Sequence, residues 1–238
     1  MYIRYLLAVL AAGLIAGLLM TPAMYIKTVP LILQAEIYED ASGGHDHGET
    51  SEAAAPHSHG DAAEDEEEGA ELPFGRLGNT ILANLVACGG FALALGGTAL
   101  LLGRRVTKQN GIYWGLAGFF AVSFLPSLGL SPELPAMPAA DLAERQLWWV
   151  VTVILSAIGI YLLVLRAEIW AKILGLVAIV APHLYGAPHP EDISSPIPSL
   201  LASQYAVATT ATNLFMWVVI GLTLGWLVQT YASAEIEA

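Results

Sequence analysis

Three features of this sequence predict an all-α, polytopic membrane protein. Of its 238 residues, 56% are hydrophobic and only 13% are charged. Its mean hydropathy is +0.62, which lies outside the range of an ordinary soluble domain. The apolar residues are gathered into long runs. Such runs must be helical in lipid, because the bilayer core offers no water to the backbone.

The whole chain, residues 1–238, is predicted to form a single transmembrane domain with six spans. A helix needs about 20 apolar residues to cross the hydrocarbon core. The predicted spans are about residues 5–25, 77–103, 111–130, 147–165, 169–185 and 205–228. Trp148 marks an interfacial start to the fourth span. The glycine pairs Gly13/Gly17 and Gly221/Gly225 are spaced for close contact between helices.

Two of these spans have a second interpretation. The first is N-terminal and therefore also fits a cleaved signal peptide, although no clean A-x-A cleavage site follows it. The fifth is short, with Lys172 near its start and Pro182 near its end, and also fits a re-entrant segment. Five spans are thus the alternative to six.

With six spans, both termini lie on one side of the membrane, and the basic residues indicate which side. That side receives Arg4, Arg104, Arg105, Lys108, Arg166 and Lys172. The other side receives only Lys27, Arg76 and Arg145. The positive-inside rule therefore predicts that both termini are cytoplasmic. All acidic residues except Glu168, Glu235 and Glu237 then fall outside.

The first outer loop, residues 38–72, is the most unusual segment of the chain. It contains His45, His47, His57 and His59, most of the acidic residues and no Lys or Arg. Its low hydrophobicity and high charge predict disorder until it binds a ligand. Imidazole with carboxylates binds Co²⁺, Ni²⁺, Cu²⁺ and Zn²⁺, so weak, exchangeable metal capture is predicted. A merely solvating acidic loop is the alternative.

The second and third outer loops, residues 131–146 and 186–199, are proline-rich and are predicted to form a pore mouth. A hydrated divalent cation cannot cross apolar helices, so its path must offer replacement ligands. The candidate metal ligands at this mouth are His183, His189, Asp141 and Glu191.

Two of these candidates also have structural interpretations. His183 fits an interfacial histidine bonded to a carbonyl group as well as a functional residue at membrane depth. Asp141 stands four residues before Arg145, so the two fit an ion pair on one helical face. Asp141 also fits an N-cap of the fourth span.

Several classes of protein are excluded. The absence of a basic patch argues against a nucleic-acid partner. The single cysteine, Cys88, allows no intramolecular disulfide and no thiolate metal cluster. The sequence has no G-x4-G-K-[ST] loop, no H-E-x-x-H pair and no G-x-S-x-G elbow. We therefore expect neither an enzyme nor a resident cofactor.

Three stretches, VPLILQAEIYE, PELPAMPAADLAERQLWW and APHLYGAPHPE, together with the His/acid loop resemble the predicted cobalt transporter subunit family CbtA. The resemblance covers nearly the whole chain, and the second stretch is its most specific part. It implies a multi-pass subunit in a prokaryotic cytoplasmic (inner) membrane, linked with cobalt uptake for cobalamin biosynthesis. It also implies a small single-span, His-bearing CbtB-like partner, and five spans. The H-x4-D-H signature of the nickel/cobalt permeases is absent.

The sequence thus predicts a transporter subunit that moves Co²⁺ inward. The His/acid loop gathers the ion, and the Pro-rich loops pass it on. A nickel or zinc transporter, or an exporter, is the first alternative. A metal-binding membrane accessory protein that transports nothing is the second.

Overall fold

The computed structural model describes residues 3–43 and 74–232, and helices are the regular elements of this part of the chain. In chain order they are α1 (Ile3–Lys27), α2 (Val29–Gly43), α3 (Gly75–Leu101), α4 (Gly111–Gly118), the π-helical segment Phe119–Phe124, α5 (Leu125–Ser127), α6 (Leu142–Leu165), α7 (Ile169–Tyr185), α8 (Ser199–Leu227) and the π-helical turn Val228–Ala232. No strand occurs within these two ranges. The all-α prediction is confirmed.

All six apolar runs that the sequence singled out are helical. Four helices are long and apolar enough to cross a membrane: Ile3–Lys27, Gly75–Leu101, Leu142–Leu165 and Ser199–Ala232. The other two apolar helices, Gly111–Ser127 and Ile169–Tyr185, are shorter. At 1.5 Å per residue, the 17 residues of α7 extend for only about 25 Å, slightly less than the ~30 Å hydrocarbon core.

Several helix boundaries differ from the prediction. Helix α6 begins at Leu142 rather than at residue 147, because Asp141 caps it and its first turn is polar. Helix α8 begins at Ser199, directly after Pro198, rather than at residue 205. The helix of the third apolar run ends at Ser127 rather than at residue 130. Hydrophobicity marks the apolar centre of a helix and misses its polar first turn.

Disorder was predicted for residues 38–72, but residues 38–43 belong to helix α2. It follows α1 almost without interruption: the Thr28 N–H donates to the Met24 carbonyl at 2.8 Å, and Ile32 donates to the Thr28 carbonyl at 3.1 Å. Pro30 is tolerated there because the first turn of a helix lacks N–H partners anyway. The remainder of the predicted loop, residues 44–72, lies outside the described residues.

Helix α1 is the centre of the bundle and packs against both α3 and α8. A Cβ atom added to Gly13 would lie 2.6 Å from the carbonyl oxygen of Cys88, and one on Gly17 would lie 2.7 Å from that of Asn84. The predicted close helix contact at this glycine pair is therefore confirmed.

Helices α4 and α8 form the second close crossing. A Cβ atom on Gly115 would clash with the Trp217 carbonyl oxygen, and one on Gly221 would clash with that of Gly111. Gly225 meets the backbone of Thr107 in the same way. The Gly221/Gly225 prediction is confirmed, and its partners Gly111 and Gly115 form a further G-x-x-x-G pattern that the sequence analysis had not singled out.

Helices α6 and α7 form a hairpin beside this four-helix core of α1, α3, α4 and α8. Within the hairpin the backbones meet at Gly159 and Gly175, where a Cβ atom on Gly159 would lie 2.7 Å from the Gly175 carbonyl oxygen. The hairpin touches the core mainly through α6 and the π-helical segment Phe119–Phe124. The fold therefore consists of a tightly packed core and a laterally attached hairpin.

Candidate functional site

The contacts orient the helices relative to one another and define two ends of the bundle. Tyr5 near the start of α1 donates to the Gly96 carbonyl near the end of α3 at 2.8 Å, so these helices are antiparallel. We call the end that carries α2 the α2 end. The opposite end, which carries Arg104 and Arg105 in the loop after α3, is the arginine end.

Three segments that are distant in sequence meet at the α2 end. They share a small apolar cluster whose buried members are Ala35, Leu134, Ile197 and Leu201. The Ser195 hydroxyl also donates to the Ala136 carbonyl at 3.3 Å, across two loops. Ala136 has a φ of +61°, a conformation that non-glycine residues rarely adopt. The two Pro-rich loops are therefore in direct contact with each other and with α2.

Arg145 forms an ion pair that the sequence analysis missed. Its Nη2 lies 2.7 Å from Oε2 of Glu133, and both side chains are largely withdrawn from solvent, with exposures of 28% and 24%. The Nε atom of Arg145 is buried and has no hydrogen-bond partner. The predicted Asp141–Arg145 pair is wrong, because the guanidinium reaches back across the loop. Glu133 is the second residue of the stretch PELPAMPAADLAERQLWW, but it is not at helical spacing from Arg145.

Asp141 is the N-cap of α6. Its Oδ1 accepts hydrogen bonds from the backbone N–H groups of Ala143, at 2.9 Å, and Glu144, at 3.1 Å. A side-chain cap of this kind stabilises a helix by about 1 kcal/mol. Of the two structural interpretations of Asp141, capping is the one observed. The side chain is exposed, and its second carboxylate oxygen, Oδ2, is not used by the cap.

His183 occupies a sheltered position in the last turn of α7. Its ring lies edge-on to the indole of Trp148, with ring centroids 5.8 Å apart. The Trp148 indole N–H donates to the carbonyl oxygen of the buried Pro182 at 3.3 Å. The Nε2 atom of His183 is buried without a hydrogen-bond partner. Such a nitrogen costs about 1–3 kcal/mol unless water or an ion satisfies it, and imidazole is a common ligand of transition metals.

His189 and Glu191 lie in the exposed loop that follows α7. Beside them, Asp192 accepts hydrogen bonds from both the backbone N–H and the hydroxyl of Ser194, each at 2.8 Å. The backbone bond first, and then the hydroxyl bond, lower the pKa of Asp192 below its ordinary value. This turn therefore keeps a fixed negative charge close to the candidate ligands.

The structure does not assemble the candidate ligands into one cluster. Among the described residues, no group of three or more His, Cys, Asp or Glu side chains lies close enough to hold a metal ion. His45, His47, His57 and His59 lie outside the described residues, so the capture loop remains a prediction. His183, His189, Asp141 and Glu191 all belong to the α2 end without forming a closed site.

Polar groups inside the bundle bond either to a neighbouring helix or within their own helix. The Asn84 amide donates to the Thr21 hydroxyl at 3.0 Å and links α3 to α1. Cys88 is 1% exposed and lies against α1. The Ser156 and Thr209 hydroxyls are buried without a partner. The interior of the described bundle thus offers isolated hydroxyls rather than a row of charged ligands.

Comparison with known proteins gives one finding that bears on these residues. A family model described as "Probable cobalt transporter subunit (CbtA)" matches residues 2–229. No curated protein and no solved structure matches the chain.

Proposed function

We propose, because the chain belongs to the CbtA family of probable cobalt transporter subunits, that it moves Co²⁺ inward across a prokaryotic cytoplasmic (inner) membrane. The family description, a probable cobalt transporter subunit, supports a membrane subunit of a metal transporter. The observation that carries the proposal at the level of residues is the buried, unpartnered Nε2 of His183 at the α2 end. In this proposal its partner is a transition-metal ion.

In this proposal the chain crosses the membrane six times and the α2 end faces outward. Support comes from the antiparallel contacts of α1 with α3, of α4 with α8 and of α6 with α7. The predicted cytoplasmic side holds the basic residues Arg104, Arg105 and Lys108, as the positive-inside rule requires. The two shorter helices cross a bilayer by local thinning or by packing against longer neighbours.

The predicted His/acid loop would collect the ion near this end. Helix α2 leads directly to residue 44, and its Ala35 packs in the cluster that also contains Leu134 and Ile197. A capture loop would thus begin nine residues after Ala35, where α2 packs against the two Pro-rich loops. Ion bound weakly by His45, His47, His57 and His59 would be transferred to a more restrictive site.

His183 would be the first ligand of that site. Its neighbour Trp148 fixes the ring from one side, and Asp192 keeps negative charge in the adjoining loop. His189, Glu191 and the free oxygen of Asp141 would complete the coordination when the ion arrives. Exposed side chains in a loop can move by a few ångströms, which buried helix residues cannot.

The deciding experiment is Co²⁺ uptake by proteoliposomes that contain this chain with its small single-span, His-bearing partner. We expect accumulation above empty vesicles and a loss of uptake in His183→Ala. Parallel arms with Ni²⁺ and Zn²⁺, and vesicles of known orientation, test the other cargoes and the exporter. Metal binding without accumulation in any arm would identify an accessory protein instead and would refute the proposal.

A further inference from the structure

A cavity of about 1020 Å³ separates the four-helix core from the α6/α7 hairpin. Its walls come from α3, from α4 with the π-helical segment, and from α6. This volume is at the upper end of the range for small-molecule pockets, roughly 300–1,000 Å³. Two of its lining residues, Tyr113 and Phe120, are 69% and 41% exposed. In a bilayer, exposed side chains of an apolar helix face lipid.

The cavity does not extend along the whole bundle. It is lined along α3 from Ala94 to Leu102, along α6 from Val153 to Leu165, and from Asn110 to Leu125 along α4 and the segment that follows it. At 1.5 Å per residue these stretches extend for about 12–22 Å, less than the ~30 Å hydrocarbon core. A transmembrane helix of another protein would need a groove along the whole core, so the length favours a lipid.

The chemistry of the lining also favours a lipid. The deep wall is almost entirely aliphatic and aromatic, for instance at Leu95, Ala121 and Val153. Two arginine residues, Arg104 and Arg105, line the arginine end of the same cavity. A hydrated Co²⁺ ion would gain nothing from such a lining and would be repelled by these cations. Arginine instead matches the geometry of a phosphate group.

We propose that this cavity binds one anionic glycerophospholipid from the leaflet at the arginine end. Its phosphate contacts Arg104 and Arg105, and an acyl chain lies between α3, α4 and α6. Basic pockets between transmembrane helices bind anionic head groups on this principle. The bound chain fills the gap between core and hairpin and so holds α6 in place. The site is independent of the transported ion.

The charge requirement is tested with purified full-length protein and added lipid. Phosphatidylglycerol is expected to raise the unfolding temperature more than phosphatidylcholine, and to remain bound in native mass spectra. The double variant Arg104→Gln/Arg105→Gln should weaken phosphatidylglycerol retention by about tenfold or more. Lys108→Gln removes a charge from the same loop outside the cavity and should change nothing. Equal retention of both lipids, or equal effects of the two variants, would overturn the proposal.

The depth of the site is tested separately, because the arginine variants alter only its end. Ala157→Phe places a ring in the cavity and should displace the lipid, whereas Ile158→Phe, on the neighbouring exposed face, should not. In intact membranes, Trp114→benzoylphenylalanine, at a lining position that already holds a large ring, should form a photo-adduct of lipid mass. An adduct with a polypeptide would assign the cavity to a protein partner, and the absence of any adduct from folded protein would also refute a bound lipid.

Discussion

The imidazole of His183 packs edge-on against the indole of Trp148, and these two rings join the ends of α7 and α6. The indole N–H donates to the Pro182 carbonyl oxygen, so Trp148 fixes the local backbone and does not hydrogen-bond to the imidazole. The buried Nε2 of His183 is therefore positioned but unsatisfied. That combination is expected of a residue that awaits a ligand.

His183→Ala should lower maximal Co²⁺ uptake by about tenfold or more, since losing a metal-site residue or its support commonly costs 10–100-fold. Leu184→Ala, at the adjacent and 82% exposed position, serves as the control and should leave uptake unchanged. The measurement is initial uptake in proteoliposomes over a range of Co²⁺ concentrations. Equal uptake by both variants would remove His183 from the ion path.

Asp141 allows capping and metal binding to be separated. Asp141→Asn retains a good N-cap, whereas Asp141→Ala should destabilise α6 by about 1 kcal/mol. Thermal unfolding should therefore distinguish Ala from Asn. If the carboxylate also binds the ion, Asp141→Asn will lose uptake at normal stability. Full uptake by a stable Asp141→Asn protein would leave Asp141 with a structural role alone.

The Glu133–Arg145 pair should contribute more to stability than the exposed Arg166–Glu168 pair. Glu133→Gln leaves the poorly exposed guanidinium of Arg145 without a carboxylate, which should cost about 1–3 kcal/mol. Glu168→Gln should cost at most about 1 kcal/mol, because water already screens that pair. A double-mutant cycle with Arg145→Met measures the coupling, and a coupling near zero would contradict the prediction.

The α4–α8 crossing should be sensitive to a single methyl group. Gly115→Ala should destabilise the protein by about 1–3 kcal/mol, because the added carbon meets the Trp217 carbonyl and backbones must separate. Gly90→Ala is the matched control: its Cβ atom meets nothing within 4 Å, and alanine favours a helix by up to ~1 kcal/mol. Unfolding temperatures that move in the same direction would contradict this packing.

Replacing residues 44–72 by a Gly/Ser linker of equal length tests ion capture. A weak collector raises the local ion concentration, so its loss should increase the Co²⁺ concentration needed for half-maximal uptake and leave maximal flux largely intact. A variant with alanine at His45, His47, His57 and His59 should reproduce this shift. Loss of flux at every concentration would mean that the loop does more than collect ions.

Sequence alone predicted the helices best where hydrophobicity is continuous. The six apolar runs are all helical, and the glycine pairs at Gly13/Gly17 and Gly221/Gly225 mark real crossings. Helix α2 escaped prediction because its apolar positions pack against loops that are distant in sequence, around Leu134 and Ile197.

The candidate site was less predictable, for the same physical reason. Asp141 lies at helical spacing from Arg145, yet its carboxylate caps helix α6. The charge partner of Arg145 is instead Glu133, a residue of the preceding loop. The shelter of His183 depends on Trp148, which belongs to another helix. Spacing along one chain segment cannot reveal contacts between segments.

The glycine crossings divide the molecule into a tightly packed frame and an arm that is less extensively attached to it. Backbone contact at Gly111 and Gly221 leaves the four-helix core no room to open, whereas the α6/α7 hairpin is attached mainly through α6 and the π-helical segment. Gly159 and Gly175 lock the hairpin internally, so it would tilt as one body. His183 would travel with it.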